Sequence, residues 1–151
     1  MLGSDLAAMG AALEAAALAP AAGDVPVGAV VLGPDGRLLG TGHNLRHATG
    51  DPLAHAEVVA LRRAADAAGT WRLDGCTLVV TLEPCAMCAG AVLETRIGRV
   101  VFGAWDAKAG AVGSALDVLR DRRTGASVEV VAGVREPECA ALLAAFFAER
   151  R

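Results

Sequence analysis

Two short segments, His55-Ala56-Glu57 and Pro84-Cys85-Ala86-Met87-Cys88, constrain this chain more than anything else in it. One imidazole and two thiols can hold a single ion only if the fold brings both segments to one point. A helical pattern and an apolar strand pattern lie between them, so that meeting requires tertiary packing. Cys85 and Cys88 are three apart, which puts both sulfurs on one face of a helix. At a helix start the positive end of the dipole favours thiolates, the form that binds metal. His55 opens a separate helical pattern. Two helix N-termini converging on one ion would supply a neutral imidazole and two thiolates.

Structural zinc sites close with four protein ligands, whereas catalytic sites keep a position for water. Cys76 and Cys139 are not spaced as a second knuckle, and a purely structural site would leave Glu57 without a role. Thiolates make zinc the best match among the metals such a site accepts. Bound zinc lowers the pKa of water to about 7. Glu57, two residues past His55, is near enough to take that water's proton without being a ligand. Hydroxide attack on an amidine-like carbon, with the proton delivered to a leaving amine, is hydrolytic deamination. His43 in a strand and His47 in a loop are not expected as ligands.

The helix and strand patterns frame these motifs. Leu6, Met9, Leu13 and Ala17 recur at helical spacing, with Ser4 as N-cap and Pro20 beyond the end. Val25 to Leu32 reads as a strand, Pro34-Asp35-Gly36 as a turn, and Arg37 to His43 as the returning strand. Leu45 to Pro52 reads as a loop. Helices are predicted over His55 to Ala68, stopped by Gly69, over Cys85 to Glu94 with Pro84 at the start, and over Glu136 to Arg150. Thr77 to Leu82, Arg99 to Ala104 and Ser127 to Ala132 read as strands. Ala111 to Leu119 is ambiguous, with a short helix expected late in it. Continuously apolar strands alternating with helices imply a central sheet covered on both faces.

The 151 residues are expected to form a single domain, 1–151, with no repeat or linker. No apolar run is expected to span a membrane. The N-terminal stretch carries Asp5 and Glu14 and lacks a basic start, so a soluble cytoplasmic protein is expected. Cys76 and Cys139 are then small core residues rather than a disulfide. A formal net charge of −3 gives no global attraction for nucleic acid. Arg46, His47, Lys108, Arg150 and Arg151 could still build a local basic patch. Arg120, Arg122 and Arg123, diluted by Asp117 and Asp121, read as a solvated loop.

At this point the chain resembles the bacterial tRNA-specific adenosine deaminases, within the cytidine deaminase-like superfamily. H-x-E…P-C-x-x-C is the known signature of zinc nucleobase deaminases. The resemblance extends over Val25-Pro26-Val27-Gly28-Ala29-Val30, Thr81-Leu82-Glu83-Pro84, Arg96 to Ala104, Asp106-Ala107-Lys108-Ala109-Gly110 and Glu138 to Phe147. It implies a three-layer α/β/α fold with a central mixed five-stranded sheet. It implies one zinc per subunit on His55, Cys85 and Cys88, and Glu57 as proton shuttle. Asn44 and the Ala56 backbone N–H match positions that face the target nucleoside. Asp106 and Lys108 match a loop contacting the RNA, and Phe146, Phe147 and Arg150 lie where the last helix approaches the anticodon loop. The implied reaction is adenosine to inosine at the wobble position of a tRNA anticodon stem-loop, by a homodimer without membrane attachment.

Lys108 is the only lysine beside thirteen arginines, which suggests that a compact point charge is needed there. Trp105 stands where a polar residue is expected, and the absence of tyrosine leaves few rings for base stacking. Two rival readings use the same motif. A free-base or nucleoside deaminase, of guanine or cytosine type, would share the zinc and Glu57, but Asn44, the Asp106–Lys108 loop and the final helix favour RNA. A non-catalytic zinc-bound subunit would be expected to lose Glu57, which is present.

Overall fold

Residues 2–150 are described by a computed structural model. Five strands, β1 (Gly28–Leu32), β2 (Leu38–His43), β3 (Thr77–Leu82), β4 (Arg99–Ala104) and β5 (Glu129–Val131), form one sheet in the order β2-β1-β3-β4-β5. β1 pairs antiparallel with both β2 and β3, while β3–β4 and β4–β5 are parallel. The sheet is therefore mixed, as the resemblance implies. The helices are α1 (Leu2–Ala16), a short α2 (Arg46–Thr49), α3 (Ala56–Ala68), α4 (Ala86–Glu94) and α5 (Glu136–Ala148).

Strand side chains alternate between the two faces, and here both faces are buried. Ala29, Val31, Leu78, Val80, Val100 and Phe102 join Ala56, Ala60, Leu61 and Ala64 of α3 and Ala89 and Val92 of α4. Val30, Val79 and Val101 join Met9 and Ala12 of α1 and Cys139 of α5. This double burial is the physical content of the unbroken apolar strands.

Small residues let the helices lie directly on the sheet. Ala56, Ala60 and Ala64 recur every four residues along α3 and are fully buried. A Cβ on Gly42 of β2 would sit 2.6 Å from Ala56 O and 2.8 Å from Ala60 N. On the other face, a Cβ on Gly28 would overlap Ala12 O. Position 42 must therefore be glycine for α3, and with it His55 and Glu57, to sit at this height.

Several expectations are corrected. Helix α1 begins before Ser4, which is thus inside the helix rather than its N-cap. Its buried residues are Asp5, Ala8, Met9, Ala12, Ala15 and Ala16, and Leu6 faces outward at 42 % exposure; the closest approach to β1 is made by Ala12 and Ala16 over Gly28. The segment Gly3–Ala22 has a mean hydropathy of 1.2, long and apolar enough by those measures to cross a membrane. Here Met9, Ala12 and Ala16 of that segment are fully buried. The 45–52 loop contains α2, and Pro84 precedes the α4 N-cap rather than entering the helix. No helix forms over 111–119. Ala111 N donates to Pro84 O, and Val112 N and Ser114 N to Glu83, so no helical ladder forms.

Asp5 reaches from α1 to the start of β4. Arg99 donates to both of its carboxylate oxygens at 2.7 Å, and to Glu129 at 3.1 Å. The guanidinium holds the Asp5 carboxyl below the usual carboxylate range despite burial. A depressed folded-state pKa adds stability above the unfolded value of about 3.9, and that stability is lost as pH falls through the folded value. Asp5→Asn is expected to melt below the parent at neutral pH. In thermal melts the gap should close as pH falls below about 4.

Candidate metal centre

His55 and Cys85 occupy equivalent places, each the N-cap residue of its helix, in extended backbone geometry (φ −68°, ψ 153° and φ −74°, ψ 177°). Cys88 follows one turn later inside α4 and is fully buried. The carbonyls of His55 and Cys85 accept the first helical bonds from Val59 and Ala89, so each ligand is fixed by the helix it starts. Cys85 follows β3, and the centre lies at the C-terminal end of that parallel strand, where open α/β sheets place their sites.

His55 Nδ1 lies 3.6 Å from Cys85 Sγ and 3.5 Å from Cys88 Sγ. The three donor atoms lie within 4.8 Å of one another. Tetrahedral zinc with the usual Zn–N and Zn–S bond lengths separates N and S ligands by roughly 3.6 Å. The donor set and its spacing therefore fit zinc, with three protein ligands and a fourth position left for water.

The electrostatics agree with this fit. Cys88 donates to Cys85, and together with the His55 ring this lowers the Cys85 thiol to about 3. Cys88, which carries that proton and is buried, is pushed up. His55 is raised, first by its bond to Cys85. A bound cation would displace the protons that these three donors share. Glu57 is only 4 % exposed. Burial raises its carboxyl, opposed by its own backbone N–H and by His55. It is a carboxyl able to gain and lose a proton beside the donors.

Two loops flank the centre. Asn44 donates from Nδ2 to Val25 O (3.0 Å) and accepts from Ala56 N at Oδ1 (2.9 Å). Asn44 and Ala56 are thus brought together as expected, but the Ala56 N–H serves Asn44 rather than standing open. Asp24, buried, accepts from His47 N and Ala48 N (2.7 and 3.1 Å) and so pins α2. On the other side Gly110 bridges Cys85, and Ala111 N donates to Pro84 O at 2.8 Å. This places the Asp106–Lys108 loop against the metal turn. Asp106 Oδ1 accepts from Lys108 N and Ala109 N (3.2 and 3.1 Å), and Lys108 is exposed.

The final helix is less open than expected. Phe146 is 5 % exposed and lies under the Arg150 guanidinium, 3.5 Å from the ring centroid, so only Phe147 presents a ring to solvent. Arg151 lies outside the described residues. Arg120 pairs with Asp117 and Arg123 with Asp121, and all three arginines of the cluster are exposed, as expected of a solvated loop. His43 is partly buried, with burial lowering its pKa. Cys76 and Cys139 are free and buried. A cavity of about 570 Å³ beside Asp5, Arg99 and Glu129 lies at the opposite end of β3 and β4, and its cation is already paired.

Sequence reasoning did not single out Asp24 or Glu83, two buried acids that form no salt bridge among the described residues and are held by hydrogen bonds. An acidic residue closing an apolar strand was the available signal for Glu83.

Residues 3–104 match the family model of the cytidine and deoxycytidylate deaminase zinc-binding region. The tRNA-specific adenosine deaminase of Bacillus subtilis is 47 % identical over 140 residues, covering 93 % of this chain and 86 % of that protein. The chain belongs to the tRNA-specific adenosine deaminase family. A solved structure from work on A-to-I editing by tRNA:A34 deaminases superposes with TM-score 0.87 at 39 % identity, over 91 % of this chain and 99 % of that one. A guanine deaminase from Nitrosomonas europaea shares the fold at TM-score 0.81 and 28 % identity, over 95 % and 84 %. Within this family, Glu57→Ala is expected to retain zinc at the parental stoichiometry while losing turnover by a factor of about 10² or more. Metal analysis beside an activity assay checks this, and joint loss of zinc and activity would make Glu57 structural.

Proposed function

We propose that this chain is a zinc-dependent hydrolase converting adenosine to inosine at the wobble position of a tRNA anticodon, as a single deaminase domain. What carries the reading is a donor set open for water beside a buried carboxyl, on a chain similar along most of its length to tRNA-specific adenosine deaminases.

His55, Cys85 and Cys88 would hold the zinc, which when bound would supply Lewis-acid chemistry that makes water acidic near neutral pH. The chain's own residues do the remaining work. Glu57 accepts a proton from the water attacking C6 of adenine and returns it to the amine, which leaves as ammonia. Burial raises the Glu57 carboxyl above its ordinary range, which makes it a better proton acceptor than an exposed glutamate. Asn44 and Ala56 line the nucleoside site, and Asp106 and Lys108 meet the flanking RNA. Phe147 and Arg150 extend the contact, with Phe146 supporting Arg150 from below.

The enzyme works in the cytoplasm as a homodimer. An apolar groove of about 510 Å³ between α3 and α4, lined by Val58, Leu61, Met87 and Ala91 with Trp71 at its rim, supports a second copy docking there. A second reading, a small-molecule deaminase of guanine or cytosine type, draws on the fold shared with the guanine deaminase and on the net charge of −3.

An anticodon stem-loop with adenosine at the wobble position should release ammonia and yield inosine, while free guanine, cytosine and adenosine stay unchanged. Turnover of a free base without turnover of the stem-loop would select the second reading. Lys108→Arg should raise KM for the stem-loop by about 3-fold or more, since a planar fork does not replace a compact ammonium. Parental kinetics would remove any special role for the lysine.

A further inference from the structure

Glu83 follows directly on β3, two residues before the first cysteine ligand, and it is 2 % exposed. Among the described residues no lysine, arginine or histidine pairs with it. Its carboxylate is held instead by one loop. Oε1 accepts from Asp106 N (3.0 Å) and from the Ser114 hydroxyl, and Oε2 accepts from Val112 N and Ser114 N, both at 3.0 Å. The loop backbone folds around this group so tightly that a Cβ on Gly110 would overlap it and lie 2.5 Å from Asp106 O. Glu83's own backbone N–H donates to Ala104 O at 2.8 Å, which ties it to the end of β4 where the loop begins.

We infer that Glu83 is a positioning residue that sets the Asp106–Ser114 loop at a fixed place beside the metal turn. This rests on the proposed reading that Asp106 and Lys108 meet the RNA. Neither residue is anchored by the sheet itself. Asp106 is fixed through its backbone N–H on Glu83, and Lys108 through its N–H on Asp106. Pro84 O and Cys85 close the other side of the same loop. One side chain therefore ties the substrate-facing loop to the metal ligands. A carboxylate is required because each of its oxygens receives two donors. A glutamine amide, in either orientation, would point N–H at a backbone N–H.

The test uses Glu83→Gln in the full-length chain, with metal content, stem-loop kinetics and tryptophan emission as readouts. Trp105 lies between Ala104 and Asp106, and its ring packs beside Gly113 in the same loop. In a Trp71→Phe background its emission therefore reports loop order without any RNA. We expect parental zinc content, a KM for the stem-loop raised about 10-fold or more with a smaller change in kcat, and a red-shifted emission more open to acrylamide. A KM within about twofold of the parent together with unchanged emission would overturn the inference. So would loss of zinc, since Glu83 would then serve the metal turn alone. If Glu83→Gln does not fold, Ser114→Ala removes one donor and should raise KM about twofold or more with zinc intact. An unchanged KM in that variant overturns the inference as well. A parent inactive on the stem-loop would instead refute the functional reading, while metal content and emission still test the anchor.

Discussion

Everything at the centre depends on two helix N-termini arriving at one point. His55 and Cys85 are not near each other in the chain, and neither has a side-chain device that could draw the other in. They meet because α3 lies on β2 and β1, and because α4 starts where β3 ends. The height of α3 is set by a stripe of alanines over Gly42, where one added carbon would meet helix backbone. Packing interiors tolerate little such excess. Glu57, in the first turn of the same helix, takes its burial and its raised carboxyl from the same seating.

The flanking loops are held by a different device. Asp24 and Glu83 are buried acids satisfied by backbone N–H groups rather than by cations. A buried charge left unpaired would be costly, and several short N–H···O⁻ bonds offset that cost. For Glu83 these bonds outweigh burial, and its carboxyl lies below the usual range. Asp24 fixes the turn after Asn44 and Glu83 fixes the loop of Asp106 and Lys108. Asn44, Asp106 and Lys108 thus sit on loops of the sheet without being loosely placed.

Much of the fold was legible in the chain. β3 and β4 fall at Thr77–Leu82 and Arg99–Ala104 as expected, because strands buried on both faces leave an unbroken apolar run. Helix α3 was legible from its period and from Gly69, which ends it at φ 70°. Less legible was α1, where Met9 and Leu13 of the expected stripe pack on the core but Leu6 and Ala17 do not. Periodicity cannot distinguish a leucine stripe from an alanine stripe when close backbone approach selects the smaller residue. The 111–119 stretch escaped as well. Its conformation follows from donors bonded to a distant carboxylate, and such non-local competition leaves no mark in a local window.

By itself the sequence determined the donor set, the carboxyl two residues past His55, and the apolar runs that demand a covered sheet. These follow from residue identity and short spacing. Only the tertiary structure decided that Nδ1 and the two sulfurs stand about one zinc-ligand separation apart, and that the Ala56 N–H is engaged by Asn44. It also turned Phe146 inward beneath Arg150 and anchored the Asp106 loop on Glu83. Each of these is a contact between residues that become neighbours only once the sheet has formed.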